Sequence, residues 1–148
     1  MALNLAFEGR RFAPALPYRV GREKIREFAD AIGATEAAYR DPAAARELGY
    51  PDVIAPPTFP VVITMPVARM IADEPELGLD YSRVVHAEQR FAYGRAVFAG
   101  DELTCEAVLE KLSSRAGLDS VTFRVEILTA AGEAVATVWT KLVARAEA

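Results

Sequence analysis

TFPVVITMPVARMIA, residues 58 to 72, is apolar almost all round, too short to cross a bilayer and too long for an ordinary strand. It reads as a helix buried inside a domain. Pro60 falls in the first turn, where a missing N–H costs nothing, while Pro66 lies inside and is expected to kink the helix or end its first part. A strand over Val61 to Thr64 is the alternative reading.

Downstream of a loop at Asp73 to Tyr81 the pattern switches to period two. Val84 to Tyr93, Leu103 to Leu112, Ser120 to Leu128 and Val135 to Val143 are rich in β-branched and aromatic residues and read as four successive strands. Ala99-Gly100-Asp101, Arg115-Ala116-Gly117 and Ala130-Ala131-Gly132-Glu133 supply the turns between them. Upstream, Ile25, Phe28, Ala29 and Ile32 stand at i, i+3, i+4 and i+7, so Gly21 to Ile32 reads as a helix with one apolar stripe, ended by Gly33. Asp41 and Pro42 are an N-cap and N1 pair opening a short helix to Leu48, with Gly49 as its left-handed stop. Residues 1 to 20 read as an irregular lead-in with one short strand.

An antiparallel sheet of about five strands has one suitable apolar cover in this chain, so it is expected to curl around that helix. This α+β arrangement, a sheet wrapped around a long buried central helix with extra short helices before it, is the hot-dog fold, here as a single domain over residues 1–148. Its open edges point to dimerisation edge to edge. The net charge of −4 gives no cationic footprint for nucleic acid. Cys105 is the only cysteine, which excludes an internal disulfide and a cysteine-built metal site and fits a reducing cytoplasm. The single histidine, His86, and scattered carboxylates form no recognisable metal-ligand set. There is no basic start followed by an apolar h-region and no run of 18 apolar residues, so neither secretion nor membrane insertion is expected.

Several stretches carry a family likeness: VGREKIREFA at 20–29, AYRDP at 38–42 through IAPPTF at 54–59, and LDYSRVVH at 79–86. QRF at 89–91, AGDELT at 99–104 and WTKL at 139–142 extend it over almost the whole chain. The chain resembles the MaoC-like hot-dog dehydratases and hydratases, and within them the A-type, non-catalytic subunit of the actinobacterial (3R)-hydroxyacyl-carrier-protein dehydratase. Catalytic members of that family carry Asp-x-Asn-Pro-x-His, followed by an Ala-His-Gly or Ala-Gln-Gly stretch opening the central helix. The resemblance assigns the proton and water chemistry to the aspartate and histidine, and the steadying of the thioester oxygen to the glycine N–H. Matched to this sequence, the alanine falls on Ala55, the histidine on Tyr39, the asparagine and proline on Glu36 and Ala37, the aspartate on Ala34 and the glycine on Pro57. Every catalytic position is changed. Tyrosine, with an ordinary pKa near ~10, is a poor base at neutral pH, and proline donates nothing. Losing a positioned acid or base costs roughly 10²- to 10⁴-fold and losing one oxyanion donor about 10²- to 10³-fold.

The resemblance therefore implies an acyl-binding subunit with no catalytic residue of its own and no cofactor, acting on an acyl-carrier-protein or coenzyme A thioester. Tyr39, Tyr50, Pro57, Thr58 and Phe59, with the start of the central helix, are expected to shape an apolar tunnel, and Ala34, Ala37 and Ala38 to leave room in it. The expected partner is a second hot-dog subunit in a heterodimer, with a homodimer that binds without turnover as the alternative. A self-sufficient hydratase using Glu36, Tyr39 or His86 is the third reading; His86 and Glu88, at i and i+2, would share one strand face. Arg10-Arg11 and the charges of Arg22 to Arg26 read as solvated, or as contacts for a carrier protein's acidic surface or a coenzyme A phosphate.

Overall fold

A computed structural model describes residues 1–147. Helix α1 (Arg22–Ala31) and the short α2 (Pro42–Glu47) precede the central helix α3 (Pro60–Ala72). Each starts and stops as its sequence dictates. The Asp41 carboxylate accepts the Ala43 N–H at 2.9 Å ahead of Pro42 at N1, and Gly33 and Gly49 take positive φ just beyond the helix ends. Two two-residue strands, β1 (Arg11–Phe12) and β2 (Tyr18–Arg19), lie in the N-terminal segment, where a single strand was expected. After α3 come β3 (Val84–Tyr93), β4 (Glu102–Arg115), β5 (Leu118–Thr129) and β6 (Ala134–Arg145).

All six strands form one antiparallel sheet in the order β1-β4-β5-β6-β3, with β2 also on β4. The N-terminal segment thus meets β4 twice, at Arg11↔Val108 and at Tyr18↔Leu103, giving six strands rather than about five. Val121, Phe123, Val125 and Ile127 of β5 project alternately onto the inner face and are at most 1% exposed. Helix α3 packs there, against β4, β6 and β1, through Ile63, Thr64, Val67 and Ile71.

Two expectations for α3 need correction. The helix does not end at Pro66 but runs on to Ala72, with Pro66 on its exposed side and the Val62 carbonyl without the amide it would have paired with. Nor is the helix buried all round: Met65 is 56% and Met70 40% exposed, since one sheet can cover only one side of it.

β3 is the long free edge. Its pairing with β6 shifts register between His86 and Glu88, so His86 stands opposite Leu142 while Glu88 stands opposite Lys141. Consecutive residues of β6 point to opposite faces, so this bulge puts His86 on the inner side and Glu88 on the outer side, where it pairs with Lys141 at 3.2 Å. The shared face expected from their i, i+2 spacing is therefore lost.

Candidate functional site

Two irregular stretches meet beside the first turn of α3. The Ala55 N–H donates to the Val97 carbonyl at 2.7 Å, the Ala99 N–H donates to the Val53 carbonyl at 3.0 Å, and Ile54 bridges Phe98. The Ile54 N–H donates at 3.1 Å to the Ala38 carbonyl, which fastens the 3₁₀ turn Ala37–Tyr39 to the same ladder. Between these walls and the end of β3 lies a cleft of about 240 Å³. Its sides are apolar, formed by Ile54, Ala55, Pro56, Pro57, Pro60, Ala96 and Val97, and its polar groups are Tyr39, Tyr93 and Arg95.

Arg95 organises one wall. Its guanidinium is held by both Asp101 oxygens at 2.9 Å, by Glu133 at 2.8 Å and by the Ala96 carbonyl at 2.9 Å, and it lies 4.6 Å from the centre of the Phe98 ring. Asp101 also accepts the Phe98 N–H at 3.0 Å, closing the turn. These hydrogen bonds, Asp101 foremost, raise the guanidinium pKa still further, so Arg95 is a permanent cation. The Tyr93 hydroxyl donates to the Pro57 carbonyl at 2.6 Å, which ties the end of β3 to the double-proline turn. Burial raises the pKa of Tyr93; burial first and Glu36 second raise that of Tyr39. Both phenols keep their protons at neutral pH and serve as donors.

Of the five residues expected to bind substrate, Tyr39 and Pro57 line this cleft and Tyr50, Thr58 and Phe59 do not. Phe59 is 0% exposed and belongs to the core, edge-on to Phe28 at 5.4 Å and to Tyr18 at 6.4 Å. Tyr50 is half-buried and Thr58 exposed. Ala38 is buried, and Ala34, Ala37 and Glu36 stay outside the cleft. Arg40 pins that loop, donating at 2.6 Å to both Asp30 and the Ala34 carbonyl and at 3.2 Å to the Glu36 carbonyl. At the helix mouth the cleft is lined by Pro56, Pro57 and Pro60, which carry no amide N–H, and the Phe59 N–H is used by the Pro56 carbonyl at 3.0 Å.

A second cleft, of about 250 Å³, lies between α3 and the β3–β6 pair. Val61, Met65, Ala68, Val84, Phe123 and Leu142 form its walls, with Thr64, Tyr81, His86, Gln89 and Thr140 as polar groups. The Nε2 atom of His86 lies 3.1 Å from the Glu88 carbonyl oxygen, which can only accept, so this contact requires hydrogen on Nε2. Gln89 accepts from the Thr140 hydroxyl at 3.2 Å and donates to the Trp139 carbonyl at 2.9 Å. Composition alone did not disclose this cleft, nor Tyr93 and Arg95 in the first. The period-two count from Phe91 to Tyr93 was the available signal for Tyr93. Cys105 is inert: burial pushes its thiol up to about 11.

Comparison with known proteins agrees with this geometry. The UPF0336 protein of Streptomyces coelicolor is 55% identical over 146 residues, covering 99% of this chain and 97% of that one. A C-terminally truncated HadBC (3R-hydroxyacyl-ACP dehydratase) complex from Mycobacterium tuberculosis contains a chain superposing with TM-score 0.83 at 30% identity, covering 93% of this chain and 96% of that one. A protein described as a MaoC-like dehydratase superposes with TM-score 0.87 at 35% identity, covering 95% of this chain and 43% of the longer one. The model of the FAS1-like dehydratase domain region matches residues 6–138. Nearly the whole folded sheet and its central helix lie within that match, and the chain belongs to the FAS1-like dehydratase-region family of MaoC-like hot-dog proteins.

Proposed function

We propose that this chain is the acyl-binding, non-catalytic subunit of a heterodimeric (3R)-3-hydroxyacyl-thioester dehydratase. The observation that carries the reading is the composition of the cleft beside α3. Its walls suit an acyl group, but it holds no side chain able to act as a base at neutral pH, and Pro57, at the turn before α3, brings no amide N–H. In this reading a second hot-dog subunit supplies the aspartate, histidine and glycine that remove water from the 3-hydroxyacyl thioester to give the trans-2-enoyl thioester. This chain binds the acyl group and excludes water from it. The HadBC structure, a dehydratase complex, supports a partner of the same fold, and the unpaired edge of β3 gives it a place to dock. An acyl carrier protein or coenzyme A would present the thioester.

The test is enoyl-thioester hydration by the purified chain, alone and then mixed with a hot-dog subunit that keeps the Asp-x-Asn-Pro-x-His stretch. Activity that arises only on mixing, and that exceeds the partner's own, is the expected result. No effect of mixing would favour a homodimer that binds without turnover, and strong hydration by the chain alone would sink the non-catalytic role.

A further inference from the structure

The two clefts lie end to end along one groove between α3 and β3. Pro60 lines the first and its neighbour Val61 the second; on β3, Tyr93 lines the first, and Gln89 and His86 line the second. We propose that Phe91 is a partition between two chambers of one acyl groove, and that it sets the length of acyl chain this subunit accepts. The inference deepens the proposed function and rests on it.

The strand register locates the partition. Gln89, Phe91 and Tyr93 stand opposite Thr140, Val138 and Ala136, and because Val138 is fully buried this row points to the inner face, toward α3. Phe91 is therefore the one inward β3 side chain between the linings of the two clefts. Its ring is half-buried against the core and stacks on that of Tyr93, with 5.9 Å between centres and 15° between planes, which restrains it.

The second chamber suits a hydrocarbon tail despite its polar groups. The Thr64 hydroxyl donates to the Val61 carbonyl at 3.1 Å, Thr140 donates to Gln89, and Nε2 of His86 donates to the Glu88 carbonyl. Polar groups already paired within the chain ask nothing of a ligand, and Val61, Met65, Ala68 and Leu142 present carbon between them. Size then sets a length. An apolar cavity of about 150 Å³ takes benzene, so the first chamber, of about 240 Å³, takes an acyl group of about eight carbons. The second, of about 250 Å³, has room for a similar length once the ring between them is gone.

Calorimetry with straight-chain acyl-coenzyme A thioesters from butanoyl to tetradecanoyl tests this. It is run on the full chain, alone and mixed with a hot-dog subunit that keeps the Asp-x-Asn-Pro-x-His stretch, with that subunit's own binding subtracted. Each methylene buried tightens binding about fourfold. In the wild type the affinity should climb with length and level off near octanoyl. In Phe91→Ala it should go on climbing, so that the dodecanoyl thioester binds about tenfold or more tighter than to the wild type. Adding Ala68→Phe, which fills the second chamber, should cancel that gain. If Phe91→Ala does not fold, Phe91→Leu, which keeps the core better filled, should still move the break to longer chains. A wild-type series that climbs unbroken through tetradecanoyl, or a break left at the same length by the Phe91 variants, overturns the inference while the acyl-binding role stands. If no thioester of any length binds in either setting, the proposed function falls and this inference with it.

Discussion

Ala116 is the one non-glycine residue with positive φ among the described residues, at 53°, and Gly117 beside it has φ 74°. Arg115 pairs with Leu118, so the two form the two-residue turn of the β4–β5 hairpin, which demands left-handed backbone at both positions. An alanine pays roughly 1–2 kcal/mol there. Replacing Ala116 with Asn should stabilise the chain by about 1 kcal/mol, seen as a higher urea midpoint with unchanged m-value. Gly94 is constrained for the opposite reason. A Cβ there would lie 2.7 Å from the Ala134 carbonyl oxygen, which is backbone and cannot swing aside. Gly94→Ala should cost about 1–3 kcal/mol and loosen the cleft wall, whereas Gly21→Ala, with open space around it, should be nearly neutral by the same denaturation measurement. Asp52 carries a pH dependence. Arg22 grips its carboxylate at 2.9 and 2.8 Å, and this hydrogen bonding, followed by the Val53 N–H, holds its pKa below the ordinary value. A depressed native pKa contributes stability that is complete above the unfolded value near ~3.9 and is lost as pH falls through the native one. The stability gap between wild type and Asp52→Asn should accordingly be small but positive at pH 7 and close toward zero in strong acid.

Among the elements, α3 was the most legible, because an apolar run opened by Pro60 admits few readings, and the four long strands followed from their period-two pattern. β1 and β2 escaped because two residues make no period. The bulge between His86 and Glu88 escaped for a related reason: one extra residue in a strand inverts every later side chain, and nothing in VVHAEQRF marks where the ladder slips. The site was less legible than the fold. Tyr39 and Pro57 line one cleft, but Phe59, only two residues after Pro57, turns into the core as α3 begins. The clamp of Arg95 with Asp101 and Glu133 joins a strand end, a turn and a distant hairpin, which sequence spacing does not report. Phe59→Ala tests its reassignment: with the ring fully buried between Phe28 and Tyr18, the change should destabilise the chain by about 3–5 kcal/mol. Tyr39→Phe should leave the urea midpoint almost unmoved.

At the scale of the molecule the two sheet edges are treated differently. β4 is capped by β1 and β2, whereas β3 offers ten residues of strand with no neighbour on its outer side among the described residues. Exposed apolar side chains gather along that flank: Met65 and Tyr81 at 56%, Val85 at 63% and Tyr93 at 54%. A free edge bordered by apolar side chains is a surface that a second subunit would remove from water, and it adjoins the cleft lined by Met65, Tyr81, Val84 and His86. Hydrogen exchange can locate the contact. In the chain alone, the amides of β5, enclosed between β4 and β6, should exchange slowest, and the amides of β3 that face away from β6 should exchange fast. Adding a hot-dog subunit that keeps the Asp-x-Asn-Pro-x-His stretch should slow those β3 amides and raise the melting temperature in proportion to the logarithm of its concentration once binding is saturated. Val85→Lys should weaken that response at least tenfold without changing the melting temperature of the chain alone, since Val85 touches water rather than core. Protection arising instead around Arg10, Arg11 and β1 would place the added subunit at the opposite edge and overturn docking on β3.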